Sequence, residues 1–303
     1  MLRFIGRRIA FIMLVLVAII FFAYLGMNMM RNSDIAEPNF DLIGQGRGAW
    51  EETQEFLSKA LKGDFGAVET EIGRISLADY LLISYANSMG LLLVALLSAA
   101  VVGLYIGGLA ALTRWKNLTL LLLLLTILGI SAPSFFAGLL LRQGALNLSD
   151  TLGQRLVSMA GFGWDVKHML MPVLVLAARP LAYLTRAAFL GLKRVMDEDY
   201  IRTAHSKGLT FSRIVNVHAL RNVAVPMLTA FGVSIRFSLS TLPVVELFFS
   251  WPGMGLRLLE AMDARQSSVV VILASSLGMT FLLVNLLLDV SFRLIDPRIR
   301  ELG

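Results

Sequence analysis

The residues best placed for chemistry are arginines inside long apolar stretches of the sequence. Arg179 and Arg186 lie about two helical turns apart, so they face the same side of a helix, and Arg236 lies in the next apolar stretch. A charge inside a membrane is costly, and such residues therefore mark functional sites. A cationic pathway would favour anionic or carboxylate-bearing solutes. Alternatively, each arginine pairs with a carboxylate or with helix carbonyls of a partner chain, or Arg186 extends to the membrane surface.

The sequence lacks the side-chain patterns of catalysis and of cofactor binding. It contains no GxxxxGK[ST] loop, no HExxH, no GxSxG and no paired Asp-x-x-Asp. Its histidines, His168, His205 and His218, have no second ligand at useful spacing, and we interpret them as surface or capping residues. Cysteine is absent, which excludes disulfides and thiol nucleophiles. We therefore expect no enzyme activity, no metal and no cofactor.

The composition is that of an all-α membrane protein. The chain is 57% hydrophobic and 16% charged, whereas soluble domains are about 45–50% apolar and about 25% charged. A spanning helix needs about 20 predominantly apolar residues. Six stretches qualify: Ile9–Met30, Ser84–Leu112, Leu118–Leu141, Met169–Leu192, Val223–Phe248 and Ser268–Phe292.

Basic residues near the span ends predict the orientation. Arg3, Arg7 and Arg8 place the N-terminus in the cytoplasm, and six spans return the C-terminus to the same side. The net charge of +6 arises largely from such residues, so it does not indicate nucleic-acid binding. We predict an N-terminal anchor helix over 1–30, an extracytoplasmic segment over 31–83 and a permease core over 84–303.

A long hydrophilic stretch, Asp197–Asn222, separates the fourth and fifth apolar stretches and is called the polar segment below. Acidic residues at its start favour a helix N-terminus. Apolar residues recur at roughly helical spacing on both sides of Gly208: Ile201, Ala204 and Leu209 before or next to it, and Ile214, Val217 and Leu220 after it. The pattern predicts two short amphipathic helices with a bend at Gly208. This surface either binds another protein or rests on lipid headgroups as an interfacial helix.

Several motifs, in order along the chain, resemble those of the dipeptide/oligopeptide/nickel permeases of ABC importers. The stretch Asp199–Pro226, DYIRTAHSKGLTFSRIVNVHALRNVAVP, resembles the EAA-type cytoplasmic loop of that family. Shorter matches are GDFG at 63–66, SAPSF at 131–135, Glu246 with FSWPGMG at 249–255, and DPRIR at 296–300. The resemblance covers the whole length of the chain and implies the type I importer permease fold.

The resemblance implies a division of labour among subunits. A second, homologous permease would complete the pathway, two cytoplasmic ATPase subunits would hydrolyse ATP, and an extracytoplasmic binding protein would deliver the solute, all at a prokaryotic inner membrane. It assigns contact with the ATPase to Asp199, Tyr200, Arg202, Thr203, Ala204, Lys207, Gly208, Arg213, His218, Arg221 and Asn222. Candidate pathway residues are Arg179, Arg236 and Glu246. Candidate outer-gate residues are Trp251, Pro252, Gly253 and Gly255.

Two departures from the family pattern lie on the predicted outer side. Glu37–Phe40 replaces a PGDP-like motif, and Ala264–Ser268 replaces an Arg-Asp-Tyr-Pro-like stretch. These departures leave the identity of the solute open among peptides, nickel chelates, sugars and others. The alternative functions are a membrane-embedded scaffold, an enzyme or a passive channel with the same number of spans.

Overall fold

The computed structural model describes residues 2–32, 42–70, 73–154 and 157–295. The motifs at 37–40 and 296–300 therefore lie outside the described residues. Most of the described chain is helical. In chain order the helices are α1 (Leu2–Asn32), α2 (Leu42–Ala60), α3 (Leu77–Leu112), α4 (Lys116–Ser131), α5 (Ser134–Leu152), α6 (Val166–Met196), α7 (Asp199–Ser206), α8 (Phe211–Arg213), α9 (Leu220–Phe249), α10 (Met254–Asp263) and α11 (Ser267–Ile295).

The described helices provide five candidate membrane spans, or six if the bent pair α4–α5 counts as one. Spans one, two, four, five and six agree with the sequence prediction. The prediction of a single helix over Leu118–Leu141 is wrong, because α4 ends at Ser131 and α5 starts at Ser134 with a bend of 114°. Pro133 has no N–H and disfavours helical backbone in the residue before it, so it ends the helix. By contrast, Pro180, Pro226 and Pro243 lie inside continuous helices.

A small β-hairpin corrects the all-α prediction. Strands β1 (Ala67–Thr70) and β2 (Gly73–Ser76) pair antiparallel, with Val68 opposite Ile75. Val68 is buried and Ile75 packs beside it in the same apolar core. Strands of four residues are too short for an alternating pattern to stand out from the polar sequence around them.

The chain divides into two compact units, of which the first comprises 1–89 and 251–287. Its apolar core gathers residues from α1, the hairpin, α3, α10 and α11, including Met27, Leu77, Met254 and Leu273. Helix α2 packs on α1.

The second unit comprises 90–250 and 288–303. Helix α6 is its centre and packs against α4, α5 and α9. Helix α3 also comes close to α6: a Cβ on Gly103 would lie 3.0 Å from Leu184 Cβ, and a Cβ on Gly107 would overlap the carbonyl oxygen of Thr185. Glycines four residues apart permit such close packing of apolar helices.

Candidate functional site

The first half of the polar segment is a short helix closed by a glycine turn. Gly208 has a φ of +74°, its N–H donates to the His205 carbonyl at 2.9 Å, and the Leu209 N–H donates to the Ala204 carbonyl at 3.3 Å. These two bonds define a Schellman motif, in which the left-handed residue is usually glycine. The predicted bend at Gly208 is therefore confirmed.

The second half of the polar segment corrects the prediction of a separate helix. Helix α8 continues through a π-helical turn, Ile214–Ala219, directly into α9. In a π turn the hydrogen bonds run from i to i+5. Accordingly, Ile214 and Ala219 are buried, whereas Val217, predicted on the apolar face, is 54% exposed.

The apolar face of the polar segment packs on the second unit. Ile201, Ala204 and Ile214 are buried in one cluster with Leu192 of α6 and Val223 of α9. Displacement of α7 must therefore move or deform the ends of α6 and α9, because close-packed side chains transmit strain.

The polar face carries most of the residues that the family resemblance singles out. Asn222 Nδ2 donates to Tyr200 Oη at 2.8 Å and to the His218 carbonyl at 3.0 Å, which joins α7 to the start of α9. Arg202 pairs with Asp199 at 3.1 Å on the same face. The remaining exposed members of the set are Thr203, Lys207, Gly208, Arg213 and Arg221.

Arg179 and Arg186 both face α4, as their spacing predicts. Arg186 Nε donates to Thr126 Oγ1 at 3.4 Å. Arg179 Nη2 donates to the Ile130 carbonyl at 3.4 Å, and its guanidinium carbon lies 5.2 Å from the centroid of the Phe237 ring. Within the described residues, no carboxylate oxygen lies within 4.0 Å of Arg179.

Arg236 has a carboxylate partner in its own chain. Its Nη2 lies 3.4 Å from Asp289 Oδ1 of α11, whereas its Nε is buried without a hydrogen-bond partner. The sequence interpretation overlooked Asp289, although an acidic residue inside an apolar span meets the criterion that singled out the arginines. Within this chain, Arg236 is therefore locally neutralised.

A cavity of about 360 Å³ lies beside Arg179. Residues around the α4–α5 break, the middle of α6 and α9 line it, including Pro133, Ser134, Arg179, Phe237 and Ser238. Glu246 does not line this cavity, and its side chain is fully buried. The three candidate pathway residues therefore occupy three different environments.

The candidate gate residues form a buried turn in the first unit. The Trp251 indole N–H donates to the Asn87 carbonyl at 3.1 Å, and Asn87 Nδ2 donates to the Pro252 carbonyl at 2.9 Å. The Met254 N–H donates to Ser88 Oγ at 2.7 Å. Trp251 has no exposed surface. No local sequence pattern identifies Asn87 and Ser88, because these contacts join residues far apart in the chain.

His168 confirms its interpretation as a capping-region residue. The backbone N–H of His168 donates to Asp165 Oδ1 at 3.1 Å, so Asp165 caps α6. The ring Nδ1 of His168 lies 2.8 Å from Asp165 Oδ2. This hydrogen bond holds the pKa of the Asp165 carboxyl below its ordinary value. The side chains of His168 and Asp165 are both accessible to water, so the attraction between them contributes little to stability.

Known proteins resemble this chain along most of its length. Residues 99–301 match the family model described as "Binding-protein-dependent transport system inner membrane component". The dipeptide transport system permease protein DppB of Escherichia coli K12 is 31% identical over 287 residues, covering 86% of this chain and 83% of that protein. The glutathione transport system permease protein GsiC of the same strain is 31% identical over 258 residues, covering 85% and 82%. The chain belongs to the family of inner-membrane permease components of binding-protein-dependent ABC importers.

Proposed function

We propose that this chain forms half of the translocation pathway of an ABC importer and receives mechanical work through the polar segment. The observation that carries this proposal is the two-faced geometry of that segment. Ile201 and Ile214 are buried against α6 and α9, while Arg202, Lys207 and Arg213 point their charges into solvent. A surface of this kind is held firmly by its own chain and is still open to a partner.

The partner surface on the polar segment combines apolar and basic groups. Tyr200, Phe211 and Val217 are 42%, 51% and 54% exposed. Exposed aromatic groups beside arginines are typical of the central contacts in protein interfaces. We assign this surface to a cytoplasmic ATPase subunit, with one such contact on this chain and another on a second, homologous permease.

The basic residues support a proposed orientation of the chain. By the positive-inside rule, Arg7 and Arg8 favour a cytoplasmic start of α1, and the basic cluster favours a cytoplasmic polar segment. The tryptophan turn, Ser250–Gly255, then lies on the opposite side, where a binding protein delivers the solute. As a gate, this turn would move together with the start of α3, because it is hydrogen-bonded to Asn87 and Ser88.

Peptide-like compounds are the solutes that fit the relatives best. The names of two relatives specify dipeptide and glutathione transport, and we extend that class to this chain. The candidate pathway residues remain Arg179, Arg236 and Glu246. Closure of the ATPases would push α7, and its packing on α6 and α9 would carry the push into the spans, so that access alternates by rocking of helices.

The glycine at position 208 provides a sharp test of this coupling. A Cβ there meets nothing within 4 Å inside the chain. Asp and Asn both tolerate the left-handed conformation, so Gly208→Asp and the uncharged Gly208→Asn leave the turn intact. With the complete importer in proteoliposomes, we expect normal insertion and a free energy of unfolding lowered by no more than about 1 kcal/mol. Solute uptake should fall roughly tenfold or more, equivalent to about 1.4 kcal/mol of coupling.

Two results would contradict the coupling role. One is full uptake by Gly208→Asp, which would mean that no partner approaches the turn closely. The other is isolation of the chain as a stable homo-oligomer that neither binds nor stimulates a P-loop ATPase. Comparison of Gly208→Asp with Gly208→Asn separates the effect of added charge from the effect of added bulk.

A further inference from the structure

The break between α4 and α5 leaves helix ends inside the second unit. Pro133 is the N-cap of α5, and no side chain caps the first turn of that helix. The N–H groups of an uncapped first turn point out of the helix and carry a partial positive charge. Pro133, Ser134 and Phe135 line the cavity of about 360 Å³, so this positive end borders the cavity.

Arg179 adds a full positive charge to the same cavity. It lies in α6 and has two recorded contacts, a long hydrogen bond of 3.4 Å to the Ile130 carbonyl and the face of Phe237. A guanidinium has several N–H donors in a planar fork that matches a carboxylate. The contacts of Arg179 within the described residues leave most of these donors available.

Ser238 supplies an independent indication of a ligand. It lies on α9, lines the cavity, and is only 1% exposed, yet its Oγ has no hydrogen-bond partner in the part of the chain that the structure describes. Buried hydroxyl groups are nearly always hydrogen-bonded, because an unpaired one loses the bonds that water would give it. The missing partner is explained if an acceptor enters the cavity during function.

Arg236 differs from Arg179 in having a carboxylate partner. Its guanidinium lies 3.4 Å from Asp289, so its charge is offset within the same unit. Arg179 has no such carboxylate among the described residues. A negative group is therefore missing at one arginine and present at the other.

We propose that the cavity beside Arg179 binds the carboxylate of the transported solute, as in the C-terminus of a short peptide. The Arg179 guanidinium would take the carboxylate in a forked pair, while Ser238 Oγ and the first N–H groups of α5 would donate to the remaining lone pairs. The apolar rings of Phe135 and Phe237 would contact the rest of the solute. This inference rests on the proposed transport function and names a substrate class for it.

Binding of a solute to the permease and uptake of that solute are measured in separate experiments on the importer. Neutral phosphatidylcholine is the only lipid. The probes are the dipeptide alanyl-phenylalanine and its C-terminal amide, which differ only at the carboxylate. Saturation-transfer NMR on the importer without its binding protein reports contact with the permease. We expect the dipeptide to give a signal and the amide to give one at least about tenfold weaker, because the amide loses one charge-assisted contact.

Three variants connect that preference to the cavity. Arg179→Gln is expected to abolish the preference for the carboxylate, whereas Arg179→Lys retains part of it because the charge remains. Ser238→Ala removes a hydroxyl that has no partner in the ligand-free chain, so its unfolding temperature is maintained while dipeptide binding weakens roughly tenfold. The double variant Arg257→Gln/Glu260→Gln removes a paired charge of α10 outside the cavity and retains the full preference.

The outcomes distinguish this inference from the coupling role. Equal binding of dipeptide and amide by the unmodified importer, or an unchanged preference in Arg179→Gln, overturns the carboxylate site. If a small fraction of added anionic lipid abolishes the dipeptide signal, the cavity holds a lipid headgroup and the inference is also wrong. Full uptake by Gly208→Asp, together with an intact carboxylate preference in the unmodified importer, contradicts the coupling role of the polar segment and leaves this site supported.

Discussion

The two connectors that flank α9 contrast in how they use a left-handed turn. At Gly208 the turn is exposed, and a side chain there would meet nothing within 4 Å. At Ser250, with a φ of 52°, the turn leads directly into the fully buried Trp251 and Met254. The first connector exposes polar groups on a short helix, whereas the second is bonded to α3 on both sides of its proline. One connector is therefore accessible to other molecules, whereas the other is held inside its own unit.

Truncation of the buried tryptophan has the largest expected effect on stability. Trp251→Ala removes a fully buried ring and its hydrogen bond to Asn87, so the free energy of unfolding should fall by about 3–5 kcal/mol. The matched variant Tyr200→Ala removes a ring that is 42% exposed and should cost about 1 kcal/mol or less. Denaturant unfolding of both purified proteins in one detergent measures the difference. Equal losses would remove the contrast between the connectors.

The same contrast explains which features were predictable from the sequence. Helix α7 and the bend at Gly208 depend on contacts within a few residues, so the local pattern of Ile201, Ala204 and Gly208 was sufficient. The Trp251–Asn87 bond joins residues 164 positions apart, and no local pattern encodes it. The failure at Val217 has a different origin, because a π turn changes the helical period on which the prediction relied.

The cavity was likewise predictable only in part. The position of Arg179 inside an apolar stretch singled it out, and its spacing from Arg186 correctly placed both on one face. Ser238 carries no signal in the sequence, because serine is common in apolar helices and its missing partner is a property of the folded unit. Pro133 ends a helix for local reasons, but the size of the bend depends on how α4 packs against α6 and how α5 packs against α6 and α9.

A hydrogen bond in each connector gives the next largest contrast. Ser88→Ala leaves the buried Met254 N–H without its acceptor, which should cost about 1–3 kcal/mol of unfolding free energy. In the polar segment, Ser212→Ala removes the acceptor of Asn216 Nδ2, but both groups are exposed and water replaces the bond, so the change should stay within about 0.5 kcal/mol. Hydrogen exchange of the Met254 amide provides a second measurement. An unchanged exchange rate in Ser88→Ala would show that this bond does not hold the turn.

The smallest effect concerns the left-handed residues themselves and should differ in sign between the connectors. Ser250 adopts a conformation that costs a residue with a side chain about 1–2 kcal/mol. Ser250→Gly relieves this strain but makes the unfolded chain more flexible, so the net gain should be about 0.5 kcal/mol. Gly208→Ala, at a φ of +74°, should instead lose about 1 kcal/mol.

Ser250→Gly and Gly208→Ala should change the free energy of unfolding in opposite directions although the two backbone conformations are similar. This result would separate the cost of the conformation from that of packing. At Gly208 there is open space for a methyl group, so packing contributes nothing within the chain. A gain at both positions would mean that the lower flexibility of the unfolded chain outweighs backbone strain at position 208. If Ser250→Gly is stabilising yet lowers solute uptake, the strained serine has a role in transport that glycine does not fulfil, and the tryptophan turn is more than internal support.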